Sequence, residues 1–115
     1  MHLLVCVINK EEKLEAVLSG FLDVGVTGAT VIRSEGMGRK LGRELPALAG
    51  LQALLSESRP HNTTVFSVIE SREKLDRAVA RVCEICGDFS APDTGIVFTV
   101  PVDRVVGLAP ELERG

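Results

Sequence analysis

One order of events occurs twice along the chain: an apolar run of strand length, a helix-capping residue, an apolar helical stripe, a glycine, and a second β-favouring run. In the first pass, Leu3-Leu4-Val5-Cys6-Val7-Ile8 is a continuous apolar run rich in β-branched residues. Asn9 and Glu12 follow at the spacing of a capping box. Leu14, Val17, Leu18, Phe21 and Leu22 then fall on one helical stripe, and Gly25 stands where a left-handed residue ends a helix. Ala29-Thr30-Val31-Ile32 closes the first half as a strand. In the second pass, Thr64-Val65-Phe66-Ser67-Val68-Ile69 reads as a strand and Ser71 as a cap. Leu75, Ala78, Val79, Val82 and Cys86 form the stripe, and Gly87 ends it. Gly95-Ile96-Val97-Phe98-Thr99-Val100 is the fourth strand, stopped by Pro101. The two helices even share wording, Glu12-Lys13-Leu14-Glu15-Ala16-Val17 against Glu73-Lys74-Leu75-Asp76-Arg77-Ala78-Val79. The βαββαβ order predicts an α+β fold, a ferredoxin-like sandwich with a four-stranded antiparallel sheet and two helices on one face.

That architecture leaves a packing problem. Two helices cover one face of a sheet, yet the first and fourth strands are apolar at both parities, which is the pattern of a sheet buried on both sides. A bare second face would be an apolar patch of several hundred Å2, about the limit for a soluble monomer. The expectation is that copies of the same chain cover it; the alternative is cover by the chain's own long loop. With 115 residues the chain predicts a single domain spanning 1–115. A net charge of −3 argues against a nucleic-acid surface. No apolar run approaches the ~18 residues that span a bilayer, so no direct membrane insertion is expected, and no secretory signal is visible. Aromatic residues make up 3%, too few for a base-stacking platform. Three cysteines, an odd number, suit a reduced, cytoplasmic protein better than a disulfide scaffold.

The main irregularity lies between residues 34 and 62, far longer than a hairpin connection of ~2–5 residues. It opens Gly36-Met37-Gly38-Arg39-Lys40-Leu41-Gly42-Arg43, with glycines that admit a ligand to the backbone and cations that attract an anion; a flexible turn accounts for it equally well. The run is neither a Walker loop nor a dinucleotide fingerprint. Leu48, Leu51 and Leu54 make the middle of the segment too apolar for a solvated linker, so it is expected to dock on the protein's own rim or on a partner. Cys83-Glu84-Ile85-Cys86 is a C-x2-C in the last turn of the second helix, where the dipole disfavours a thiolate. Only His2 and His61 could complete a zinc site, so no metal is expected, and Cys86 and Cys6 read as buried structural residues. No nucleophile–base set appears, and no enzyme activity is expected.

The blocks Gly25-Val26-Thr27-Gly28-Ala29-Thr30-Val31 and Gly36-Met37-Gly38-Arg39, with Gly95-Ile96-Val97-Phe98-Thr99-Val100-Pro101-Val102 and Asp103-Arg104-Val105-Val106, resemble the PII signal-transduction family through nearly the whole chain. The resemblance implies a homotrimer that takes part in signal transduction of the nitrogen-regulator type. It implies a partner-contacting T-loop over about 36–62, reaching a regulated enzyme or membrane transporter, and a small effector bound between subunits. Thr30, Gly36, Gly38 and Arg39 carry over to that site, with Gly87, Asp88 and Gly95 from the loop before the last strand; Lys40 would add charge against an anionic effector. Departures from the family pattern matter too. Ile96 replaces a phosphate-pairing lysine, Gly107 and Ala109 stand where arginines are usual, and Lys40 replaces a glutamine. Each lost cation removes a contact worth ~1.5–3 kcal/mol, so among adenine nucleotides AMP or ADP is expected in preference to ATP. No tyrosine is present to be modified. A second reading, from a different class, is a trimer similar to the divalent-cation tolerance proteins, using His2, His61 and the cysteines.

Overall fold

The computed structural model describes residues 1–37, 40–41, 61–91 and 94–111. The chain forms β1 (His2–Ile8), α1 (Leu14–Asp23), β2 (Thr30–Ser34), β3 (Asn62–Ile69), α2 (Arg72–Cys86) and β4 (Gly95–Pro101). The strands make one antiparallel sheet in the order β2-β3-β1-β4. This is the expected ferredoxin-like α+β arrangement.

The register explains how one apolar strand serves two faces. On β1, Leu4, Cys6 and Ile8 are buried. They lie beside Ser67, Val65 and Thr63 of β3 and beside Thr99, Val97 and Gly95 of β4. Val17 and Phe21 of α1 and Leu75, Ala78 and Val82 of α2 close on this face to form the core. The alternate residues Leu3, Val5 and Val7 point the other way, in line with Val68, Phe66 and Thr64 and with Val100, Phe98 and Ile96. These residues stay largely open: Ile96 is 54% exposed, and Phe98 and Val100 are 43% and 42%. At the end where β2 closes, the bare face turns polar. Ser34 Oγ donates to Asn62 Oδ1 (2.5 Å) and lies 2.7 Å from Thr64 Oγ1.

The second helix begins as expected, with Ser71 Oγ accepting from the Lys74 N–H at 3.2 Å. The approach to the first is longer: the Asn9 N–H donates to the Thr94 carbonyl (3.3 Å), which carries the β1–β4 contact one residue further, and a 3-10 turn at Glu11–Lys13 precedes α1. Leu22, expected on the apolar stripe, is exposed, because eight positions past Leu14 a helix has turned by about 80°. The glycine–cation run after β2 opens a helical turn, in which the Lys40 N–H donates to the Gly36 carbonyl at 3.0 Å. Its backbone is therefore partly committed to itself.

Candidate functional site

Two ends of the sheet carry different chemistry. At one end lie the exits of β1 and β2 and the entries of β3 and β4, because Ile8 pairs with Gly95 and Thr63, and Ser34 with Asn62. Gly36 and the 87–95 turn therefore sit at the same end but on opposite edges, about 14 Å apart at the usual strand spacing. Thr30 is elsewhere. It begins β2 opposite Phe66, about 13 Å along the strand from Ser34. Among the described residues, Thr30, Gly36 and the Gly87–Asp88 end of the last loop are not gathered into one pocket of a single chain. Gly38 and Arg39 lie outside the described residues, as do Leu48, Leu51 and Leu54.

The 87–95 turn is organised from within. Gly87 adopts φ +88°, and its N–H closes the last helical turn on the Cys83 carbonyl (3.0 Å). Asp88 accepts from the Ser90 N–H (2.9 Å) and from Ser90 Oγ (2.6 Å), and these bonds hold its carboxyl below the usual aspartate range. Its carbonyl accepts from Thr94 Oγ1 at 3.0 Å. Gly95 has a reason of its own. At φ +129° a Cβ there would stand 1.9 Å from the Val7 carbonyl oxygen, so the β1–β4 pairing itself demands glycine. Gly36 is under no such constraint, since a Cβ would meet nothing nearer than Asn62 Nδ2 at 3.7 Å. His61 Nδ1 and Glu35 Oε2, which flank the long segment, are 3.7 Å apart.

At the opposite end is a cleft of about 330 Å3 between residues 26–30, β3 and the chain after β4. Thr30 lines it, together with Gly28, Phe66 and Val68. Ser67 Oγ donates to the Gly28 carbonyl and ties the approach to β2 onto β3. The far wall is the terminal strap, including Gly107, Leu108 and Ala109. Three pins hold that strap: Val102 N–H to the Met1 carbonyl (3.0 Å), Thr27 Oγ1 to the Pro110 carbonyl (3.1 Å), and the Glu111 carboxylate. Glu111 accepts from the Glu70 N–H (2.7 Å) and lies 3.4 Å from Lys74 Nζ, with both side chains nearly buried. Among the described residues no Lys or Arg lines the cleft. Its apolar walls and hydroxyls suit a flat, uncharged group better than a phosphate. The sequence reading missed Gly28, Ser67 and Glu111. Gly28 stood in a quoted block, whereas nothing in the sequence pairs Glu111 with Lys74 on α2.

The cysteines are in unlike settings. Cys6 and Cys86 are buried as expected; burial, with Cys86 and Cys83 nearby, pushes the Cys6 thiol up to about 12. Cys83 is exposed. Among the described residues no group of three or more His, Cys, Asp and Glu side chains comes together as a metal site. No described helix is long and apolar enough to cross a membrane.

A search of curated proteins finds no match to this chain. The family model described as nitrogen regulatory protein P-II matches residues 1–111, which takes in both halves of the fold, the long segment and the strap. This protein therefore belongs to the P-II family of regulatory signal-transduction proteins.

Proposed function

We propose that this P-II protein is a non-catalytic homotrimeric sensor. It binds a small effector at the seams between subunits and signals through residues 37–61 to a regulated enzyme or transporter. The observation that carries this reading is the sheet itself. Its helix-free face presents Val5, Phe66, Phe98 and Val100 in register across three strands, an apolar surface that water does not favour. Burying it against sibling chains also addresses the divided site, since a neighbour could bring its Thr30 cleft to the Gly36 end of another chain.

The cleft with Thr30 and Gly28 would take the uncharged part of the effector. Gly36, Gly38, Arg39 and Lys40 of the adjoining chain would meet its anionic part, with Gly87 and Asp88 shaping the turn beside it. Gly95 serves the sheet, as its contact with Val7 requires. With Ile96, Gly107 and Ala109 supplying no charge, AMP or ADP fits this proposal better than ATP. An effector that prefers one arrangement of the long segment shifts its population by that difference in affinity and thereby changes whether the partner docks. A reduced cytoplasmic setting suits the free thiols.

Native mass spectrometry tests the assembly, with three chains expected. A monodisperse single chain at micromolar concentration would overturn it. Calorimetric titration with AMP, ADP, ATP and bicarbonate tests the site. AMP or ADP should bind, and Arg39→Ala should weaken the binding by ~10-fold or more, the equivalent of one charge-assisted contact. Indifference to that substitution, or silence from every ligand, would remove the site.

A further inference from the structure

Helix α2 ends on two thiols three positions apart, Cys83 exposed and Cys86 buried. Residues at that spacing on a helix lie one above the other, with Cβ atoms ~5–6 Å apart. A disulfide needs them at ~3.8 Å, while its Cα window of ~4.4–6.8 Å already admits such neighbours. The bond is therefore reachable, but only by tightening the last helical turn. That turn is closed by the Gly87 N–H on the Cys83 carbonyl, and Gly87 begins the turn that Asp88, Ser90 and Thr94 hold together. Any change in the pitch of the turn is delivered straight to residues 87–95.

We propose that Cys83 and Cys86 are a dithiol–disulfide couple whose oxidation reshapes the 87–95 turn. The co-reactant is a low-molecular-weight disulfide of the glutathione class. The Cys83 thiolate, the accessible one, attacks one sulfur of that disulfide; the S–S bond breaks and one glutathione departs as thiolate and takes up a proton. Cys86 then attacks Cys83 Sγ and expels the second glutathione, which is protonated in turn. Two protein thiols have lost two electrons, and one small disulfide has gained them. Cys86 is placed for the second step by its position three residues from Cys83 on the same helix; burial raises its thiol, while Lys13 and Lys10 act in the opposite direction and favour its thiolate. Cys6 stays out of the exchange, because its buried thiol remains protonated at neutral pH. The inference is independent of any effector.

The test equilibrates the whole protein, without added nucleotide, in glutathione buffers of graded ratio. Alkylation of remaining thiols, intact mass, peptide mapping and hydrogen exchange then follow. The expected product is one chain lighter by two hydrogens, with a map linking Cys83 to Cys86. Amides of residues 87–91 should exchange ~3–10-fold faster in it, as loss of one backbone hydrogen bond implies, and those of β1 and β3 should not change. Cys83→Ser, at an exposed position that leaves the fold intact, should abolish the product. The proposal fails if glutathione remains as a lasting adduct on Cys83, if no oxidation occurs, or if the bridge joins two chains. It fails equally if the internal bridge forms and the turn amides keep their protection.

Discussion

The two faces of the sheet are built from the same strands and meet opposite fates. Leu4 and Val5 are neighbours on β1, both aliphatic and both in the ladder. Leu4 is fully buried under the helices, whereas Val5 lies on the uncovered side, with Phe66 and Phe98 as its cross-strand partners. Hydrophobicity along the chain does not distinguish them; only the helix layer does. The lesson is that apolar character at both parities signals demand for cover on two sides, and among the described residues a single chain supplies cover on one.

Substitutions can break or sharpen that contrast. The largest expected effect is Leu4→Ala, which should lower unfolding free energy by about 2–5 kcal/mol in urea titrations at any protein concentration, because it opens a cavity in the core. Glu111→Gln comes next. Loss of the charge beside nearly buried Lys74 should cost about 1–3 kcal/mol and expose the strap to proteolysis after residue 102, while the core face keeps its hydrogen-exchange protection. Val5→Ala should cost about 0.5–1 kcal/mol in very dilute protein, since the side chain is only half-buried in one chain. Its cost should rise with concentration if copies cover that face; a flat dependence would show that they do not. The smallest effect belongs to the turn. Ser90→Ala removes the hydroxyl bond to Asp88, and the carboxyl should titrate closer to the ordinary aspartate range by NMR. Because this group is depressed in the folded state, its contribution is complete above the unfolded value. It is lost as pH falls through the folded one, so the variant should be slightly less stable than wild type at neutral pH and the difference should vanish on the acid side.

Much of the fold was legible because it rests on local chemistry. The doubled strand–helix–strand order, the Ser71 cap and the glycine ends at Gly25 and Gly87 depend on residues within a turn or two of one another. The approach to the first helix has a tertiary feature that the local pattern does not carry: the Asn9 N–H donates to the Thr94 carbonyl from the loop before β4, and a 3-10 turn precedes the helix. Gly95 is also a glycine that the sheet requires, since a Cβ there would stand 1.9 Å from the Val7 carbonyl oxygen, and that requirement is not legible in the sequence. Cys83 shares a motif with Cys86, yet only the packed structure shows that Cys83 is exposed and Cys86 buried. The cleft beside Thr30 was not legible at all, since its walls come from three distant stretches of chain.

The sequence by itself determined the order of elements, their helical or extended character and family membership, because periodicity, caps and motif blocks are properties of neighbouring residues. Tertiary structure alone decided which face of each strand is covered, that Glu111 latches onto Lys74, and that Thr30 and Gly36 lie on separate parts of one chain. Those outcomes depend on strand register and on how segments far apart in sequence come to lie together. Neither is encoded in any single stretch.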